Sequence, residues 1–440
     1  MKEKLFILFT ALLIIPCVQL RSLSSSLPLS SEKGIYIPKD LQEMDLQDPE
    51  SKWSYHRMAC TENFAIFWEK GFGSDLSNPP KLEGESMSVD LANLKDKLES
   101  FYRCFRDTLK FIKGNSNSDT YRMLVMINYS LDGTAYGGDY DEVIGALWVT
   151  PNRIQDEKLN CIAHELGHSF QAQISCDEQG EAWGSCGFFE MASQWMLWQV
   201  NPEWIKDEEY HWNAFIKKTH KAYLHLQNIY HSPYVLEYWS MNRGLPFIAE
   251  LFRHGKRGED PVMTYKFLTG QTQTEFCDEM FDACRRIVNL DFPRVWKETR
   301  SYANQMTCKL NDVGKGWQRV DSVNCPENYG FNAIQLSIPQ PGRKITIEFR
   351  GEVGLDGYTT INANKAGWRY GIVAVTDEGE SIYGEMKSDV KGKISYTVPQ
   401  NISLSHLWFV VMGAPTEHWM NPKQQGEKDA QWPYRIRIKS

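Results

Sequence analysis

One segment, residues 156–175 (DEKLNCIAHELGHSFQAQIS), constrains this chain more than any other part of its sequence. Asp156 and Glu157 stand at its beginning, where acidic side chains favour the start of a helix. Its apolar residues then recur at helical spacing and predict one buried helix face. The residues of that face are Leu159, Ile162, Ala163, Leu166, Phe170 and Ile174. The segment therefore predicts an amphipathic helix whose other side carries the polar residues.

The polar side of this helix carries a metal-binding pattern. His164 and His168 are four residues apart, so both imidazoles project from the same side, one turn from each other. Two nitrogens at this spacing can bind one Zn²⁺, and Glu165 lies beside them, where it can act on a zinc-activated water. The pattern predicts a Zn²⁺ cofactor, with Glu165 as the general base of a hydrolase.

A catalytic zinc needs a third protein ligand, and the sequence offers Glu190. This residue lies 22 positions after His168, in a second apolar segment at 187–200 that is predicted to be helical. A helix, a loop and a returning antiparallel helix fit that separation. Glu178 and Glu181 are the competing acids. The alternative interpretation of the whole motif is a structural pair of salt-bridged side chains, because so short a motif also arises by chance.

The run from His164 to His168 (HELGH), followed by Gln171 and a glutamate on the next helix, resembles the gluzincin metallopeptidases. Locally it is most similar to their enhancin-like, mucin-directed group. The resemblance implies a zincin-like catalytic domain, zinc ligation by His164, His168 and Glu190, and hydrolysis of a protein or glycoprotein with Glu165 as base. Gln194 stands where thermolysin-like enzymes have a second acid. The chain as a whole is also similar to an uncharacterised secreted bacterial family with a C-terminal β-module.

Hydrolysis by such a centre needs a further hydrogen-bond donor to the tetrahedral oxyanion. The sequence offers several candidates in the predicted helical half. His231 and Tyr234, in the segment YHSPYVLEYW, are the two we select as catalytic candidates. A satisfied core or surface side chain is the alternative role of each. The other candidates are His211, His220 and Tyr238.

The N-terminus has the pattern of an export signal. Lys2 and Lys4 precede an apolar run over residues 5–15, which is too short for a comfortable membrane span. We therefore predict a signal peptide at 1–22 and a secreted, periplasmic or cell-surface protein. Cys17 could instead be a lipid-attachment cysteine, but Pro16 before it is a poor match to the small residue usual there. No later stretch is long and apolar enough to span a bilayer.

The rest of the chain divides by its patterns into three parts. Residues 23–50 are predicted to be a linker or an N-terminal wrap, and residues 51–310 a zincin-like metallohydrolase domain of mixed sheet and helices. Residues 311–440 show short alternating strands and predict an all-β sandwich. The predicted fold class is α+β. Residues 132–141 are predicted to be a Gly-rich loop, and 144–150 an edge strand that pairs with extended substrate. A purely structural hairpin is the alternative for this strand, and the sequence does not favour either one.

Composition limits the alternatives. The net charge of −8, without a Lys/Arg cluster, argues against a nucleic-acid partner. Cys176 and Cys186 flank a polar loop and are candidates for a local disulfide bridge. The rival function is a non-catalytic cell-surface binding protein with a vestigial zinc helix. In that case the sandwich would bind glycan through exposed aromatic residues, for which the candidates are Trp368, Tyr370, Trp408 and Trp419.

Overall fold

The computed structural model describes residues 32–184, 186–420 and 428–439. The predicted signal peptide and Cys17 lie outside these ranges. Residues 32–50 wrap against the following domain: Leu41 and Leu46 are buried, and the Tyr36 hydroxyl donates to Asp141 Oδ2 at 2.9 Å. A search of the described ranges finds no helix long and apolar enough to cross a membrane.

Helices and strands are segregated along the chain, which places the fold in the predicted α+β class. The strands are β1 Gly34–Ile35, β2 Met58–Cys60, β3 Phe64–Trp68, β4 Tyr121–Ile127, β5 Ala135–Tyr140, β6 Ile144–Val149, β7 Leu310–Asp312, β8 Gln318–Val320, β9 Phe331–Gln335, β10 Lys344–Gly351, β11 Trp368–Thr376, β12 Ser381–Lys387, β13 Lys391–Thr397, β14 Leu404–Gly413 and β15 Tyr434–Lys439. The helices are α1 Leu91–Arg103, α2 Asn117–Thr120, α3 Asn160–Cys176, α4 Phe188–Val200, α5 Trp204–Asp207, α6 Glu209–Phe215, α7 Tyr234–Arg243, α8 Phe247–His254, α9 Pro261–Thr269, α10 Gln273–Asn289 and α11 Trp296–Thr299.

The first sheet has the order β2-β3-β4-β6-β5, and β1 pairs with the first two residues of β4. Strands β3, β4 and β6 run parallel, and β2 and β5 are antiparallel to their neighbours. The central strands β3 and β4 are apolar and buried almost throughout, as expected for strands covered on both faces. Helix α3 packs against β5 and β6, which places the histidine-bearing helix beside one end of the sheet.

The edge of this sheet is not the strand that the sequence predicts. Among the described residues β5 is the last strand, and β6 lies between β4 and β5. The predicted loop at 132–141 is thus largely the edge strand β5, and the predicted edge strand at 144–150 is internal. Sequence patterns missed β5 because Gly137 and Gly138 lower its apparent strand propensity. The structure uses Gly137 for a close approach to α3.

Residues from 310 onward form two further sheets. Within the described ranges their orders are β13-β10-β15-β8-β7 and β12-β11-β14-β9, with antiparallel pairing throughout. Side chains between the two sheets form a core of their own, and helix α10 packs against the outer side of β11 and β14. The region is all-β as predicted, although Lys33–Ser440 group into one compact unit. A boundary of independent folding at 311 stays a prediction.

Cys176 and Cys186 are free thiols. The expected bridge between Cys176 and Cys186 is therefore not formed. Burial raises the pKa of Cys186 to about 12, and it raises that of Cys176 well above the usual range. Both thiols are therefore protonated at neutral pH, which makes them poor nucleophiles and poor metal ligands.

Candidate metal centre

Helix α3 and helix α4 form the scaffold of the site. Ser193 Oγ donates to the His164 carbonyl at 2.8 Å, and Gln171 Nε2 donates to the Phe189 carbonyl at 3.0 Å. The later residue of α3 thus contacts the earlier residue of α4, so the two helices are antiparallel. Gly167 makes this approach possible, since a Cβ at that position would lie 2.5 Å from Ser193 Oγ. The glycine of the HELGH run is thus a packing residue between the two helices.

Three side chains converge where the helices face each other. The Nε2 atoms of His164 and His168 lie 3.2 Å apart, and Glu190 Oε2 lies 3.2 Å from each of them. Tetrahedral zinc with ligand bonds of about 2.0–2.2 Å separates its ligand atoms by about 3.3–3.6 Å. The three atoms therefore stand close to the spacing that one zinc ion requires. In the described part of the chain, no second acid joins these two histidines.

The proton positions at this triangle favour a cation. Gln171 Nε2 donates to a carbonyl, so its Oε1, 3.0 Å from His168 Nδ1, is turned toward the imidazole. An amide oxygen only accepts, so His168 Nδ1 carries a proton, and loss of the proton from Nε2 leaves a lone pair there for a metal. Burial raises the pKa of the Glu190 carboxyl, but without a metal the imidazoles can donate Nε2–H hydrogen bonds to it, and these hold its pKa well below the usual range. Lone pairs and a carboxylate thus meet at one point, the donor set of a zinc site.

Glu165 stays outside this triangle and faces the edge strand. Its Oε2 accepts the backbone N–H of Gly137 at 2.8 Å. Burial raises the pKa of the Glu165 carboxyl, and the neighbouring histidines oppose that shift. A carboxylate that lies beside the metal ligands without joining them is placed as a general base requires.

Tyr230 completes the site, and the sequence analysis did not select it. Its ring is stacked at 6.3 Å and 27° on the imidazole of His164, and the side chain is 44% exposed. Burial of the hydroxyl and a hydrogen bond with Glu190 raise the pKa of Tyr230 to about 12. The phenol is therefore protonated at neutral pH and can donate a hydrogen bond. Residues 216–233 form neither helix nor strand, so no periodicity indicated which of their side chains faces the centre.

The two residues selected as oxyanion donors contact side chains other than the three that converge, and their catalytic role stays a prediction. His231 Nδ1 lies 2.7 Å from His211 Nδ1, so this imidazole is paired with another histidine. Tyr234 is fully buried, with its ring packed on the aromatic side chains of Trp198, Trp212 and Phe215. Both positions follow Tyr230 within four residues, but Tyr234 is buried in the aromatic core and His231 is half-buried against His211.

The remaining candidates have structural roles. His220 is buried, and its carbonyl accepts the backbone N–H of Glu327 at 2.8 Å. The Tyr238 hydroxyl donates to Asp282 Oδ2 at 2.9 Å. Glu181, one of the competing metal ligands, accepts the backbone N–H of Arg257 at 3.0 Å instead.

The centre opens into a cavity of about 720 Å³. The cavity runs from His164, Glu165 and Tyr230 along the start of α3 and the middle of α4 toward residues 207–211. Its walls carry acidic, basic and aromatic side chains, so it is a polar cleft large enough for several residues of a substrate.

With this geometry described, the chain can be compared with known proteins. A family model described as "Family of unknown function (DUF6055)" matches residues 28–440. The chain belongs to this family. The match includes both helices of the metal centre and the β-rich region, so both are parts of the family's sequence unit. A search of curated proteins finds no match.

Two solved structures are similar to a part of this family member. One is the C-terminal family 22 carbohydrate binding module of Clostridium thermocellum Xyn10B, at 12% identity and a TM-score of 0.18, covering 30% of this chain and 76% of that chain. The other is a CBM4 structure, at 8% identity and a TM-score of 0.14, covering 30% of this chain and 74% of that chain. Scores this low support no inference about this chain.

The aromatic residues proposed as a glycan surface lie mainly in the core. Trp368, Tyr370 and Trp408 are at most 2% exposed and pack inside the β-rich region. Trp419 is half-buried, with Lys365 Nζ 5.6 Å from its ring centre. A glycan contact through this region stays a prediction, and of the four residues only Trp419 could contribute to it.

Proposed function

We propose that this chain is a zinc-dependent metallohydrolase, and specifically a gluzincin-like peptidase that acts on protein or glycoprotein substrates. The observation that carries the proposal is the convergence of His164 Nε2, His168 Nε2 and Glu190 Oε2 within 3.2 Å of one another. The separate placement of Glu165 beside this triangle supports hydrolysis over a structural metal, because a structural zinc needs no adjacent base.

The residues around the centre have distinct roles in this proposal. His164, His168 and Glu190 would hold Zn²⁺, which supplies a Lewis acid and a water of near-neutral pKa. Glu165 takes a proton from the attacking water and passes it to the leaving amine. Gln171 fixes the imidazole of His168 by its contact at Nδ1. Tyr230 donates a hydrogen bond from its hydroxyl group to the developing oxyanion.

The position of β5 suits an extended peptide. This strand is the edge of the first sheet in the described ranges, and its Gly137 touches the general base. An extended substrate can pair with such an edge through backbone hydrogen bonds. The scissile bond would then be held next to Glu165 without any specific side-chain contact.

The test uses Glu165→Gln, which keeps the size of the side chain and removes the base. We expect this variant to retain zinc and to lose hydrolysis by about two to four orders of magnitude. Glu178→Gln is the matched control, because Glu178 is exposed just after the end of α3. The assay should include mucin-type glycoproteins as well as casein. Equal rates for Glu165→Gln and the parent chain would contradict the proposal.

A further inference from the structure

We call one part of the cavity wall the side pocket, and it begins one helical turn from the metal ligands. Cys161 precedes His164 by three residues on α3, and Gln194 follows Glu190 by four residues on α4. Residues at these spacings share a helix face, so Cys161 lies on the face of His164 and Gln194 on the face of Glu190. Both side chains line the cavity. The rest of the pocket wall is formed by Leu197, Glu208, Tyr210 and His211.

Gln194 is the residue of this pocket that most clearly points to a ligand. It is only 4% exposed, and its amide nitrogen lies 3.1 Å from His211 Nε2. Its amide oxygen is buried and has no hydrogen-bond partner in the described part of the chain. A buried acceptor without a donor destabilises the folded chain. Because the side chain lines the cavity, a bound group with N–H donors would remove that cost.

Glu208 gives the pocket a negative charge. Its side chain is 20% exposed, accepts Trp204 Nε1 at 3.0 Å and lies 3.2 Å from His211 Nε2. Burial acts to raise the pKa of this carboxyl, but its contacts with His211 and Trp204 hold it below the ordinary value. Glu208 is therefore ionised at neutral pH.

The other charged side chains of the cavity do not neutralise the charge of Glu208. Asp156 and Glu157 also line the cavity, and its acidic side chains outnumber its two basic ones, Arg153 and Lys158. Lys158 Nζ lies 2.6 Å from Asp207 and 2.9 Å from Glu203, and Arg153 Nε donates to the Gly133 carbonyl at 2.8 Å. An acidic substrate side chain would meet repulsion here, and a basic one attraction.

The wall beside Gln194 is neutral. Burial raises the pKa of Cys161 to about 12, so its thiol is protonated and acts as a small apolar group. Leu197 extends this apolar wall. The pocket therefore combines an apolar side with an acceptor and a carboxylate, which suits a long aliphatic side chain with a cationic end.

We propose that this pocket, formed by Cys161, Gln194, Leu197, Glu208, Tyr210 and His211, binds a lysine or arginine side chain of the substrate next to the cleaved bond. The inference rests on the proposed function, because it takes the metal centre as the point of cleavage. Gln194 and Glu208 are the specificity-determining residues.

The test measures binding and does not depend on turnover. Amino-acid hydroxamates chelate zinc through one end and place a chosen side chain beside it. Isothermal titration of the zinc-loaded chain would compare the hydroxamates of lysine, arginine, norleucine and glutamate, with acetohydroxamate as the reference. Norleucine is the matched control, because it has the stem of lysine without the ammonium group.

We expect the lysine and arginine compounds to bind at least about tenfold more tightly than norleucine, because a hydrogen bond to a charged group is worth a factor of this size. Glutamate should bind most weakly. Glu208→Gln and Gln194→Met should each reduce the preference for lysine over norleucine, measured as the ratio of the two dissociation constants. Two variants are used because either one alone could disturb the contacts of His211.

The outcomes separate the inference from the proposed function. Glu203→Gln, an exposed acid that does not line the cavity, should keep the full preference. If norleucine binds as tightly as lysine while acetohydroxamate still binds, the specificity inference is overturned and the metal centre stands. If no hydroxamate binds the zinc-loaded chain, the proposed function fails and the inference fails with it.

Discussion

The backbone N–H of Gly137 donates to Glu165 Oε2 at 2.8 Å, so the edge strand directly holds the carboxylate that we propose as the general base. The approach is so close that a Cβ at residue 137 would collide with the carbonyl oxygen of Glu165 on α3. The same residue therefore fixes both the orientation of the carboxylate and the distance between β5 and α3. Two glycines, Gly137 and Gly167, set the packing of α3 against its neighbours on either side of the centre.

Gly137→Ala should separate β5 from α3. Because the collision is with backbone, relief requires the strand to move, and overpacking of this kind costs about 1–3 kcal/mol. We expect a lower free energy of unfolding in urea and a loss of hydrolysis with zinc content retained. Gly138→Ala is the control, since its Cβ would meet the exposed side chain of Tyr136 at 3.1 Å, which can move. Equal stability of the two variants would refute the role of Gly137.

Gln171→Leu should weaken metal binding without removing a ligand. The amide oxygen of Gln171 holds His168 Nδ1 at 3.0 Å, and loss of such an outer partner typically costs about 10–100-fold in metal affinity. Competition with a zinc chelator would measure the affinity. Gln179→Leu, at a half-buried residue just after the same helix, is the control. An unchanged zinc affinity for Gln171→Leu would show that His168 does not need this contact.

Tyr230→Phe should lower the rate of hydrolysis and leave zinc binding intact. Removal of one oxyanion donor typically costs about 10²–10³ in kcat. Tyr234→Phe is the matched comparison, because its hydroxyl lies in the aromatic core and should not affect the rate. The kcat of both variants would be measured by steady-state kinetics on a substrate whose hydrolysis is lost in Glu165→Gln. The comparison shows which of the two tyrosines contributes to the rate. A larger loss for Tyr234→Phe would reverse the assignment.

Zinc should also stabilise the fold. A ligand that binds only the native state adds about 4 kcal/mol at a thousand times its Kd, so chelation should lower Tm and added zinc should restore it. His164→Ala should show a Tm that does not respond to zinc. A parent chain whose Tm is the same with chelator and with zinc would mean that this centre does not bind the ion tightly.

Local spacing made part of the site predictable. His164 and His168 share a face of α3 by their separation alone, and a returning helix of suitable length brings Glu190 opposite them. The apolar strand β6 was also visible, because its buried residues form a short uninterrupted run. These features depend on periodicity, which a sequence displays directly.

The oxyanion donor and the edge strand depend on tertiary packing. Tyr230 and Tyr234 are four residues apart in a segment without helical periodicity, and only the fold turns one toward His164 and the other into the core. Strand β5 was predicted to be a loop because of its glycines, although Gly137 is required there by the approach of α3. The pairing of β15 between β8 and β10 likewise joins residues far apart in sequence.

Metal content of the purified chain tests the account most directly. After loading with zinc and extensive dialysis, plasma mass spectrometry should find about one zinc per chain, and anomalous scattering should place it among His164, His168 and Glu190. His164→Ala and Glu190→Ala should each retain almost none. A parent chain that keeps no more zinc than these two variants would contradict the account.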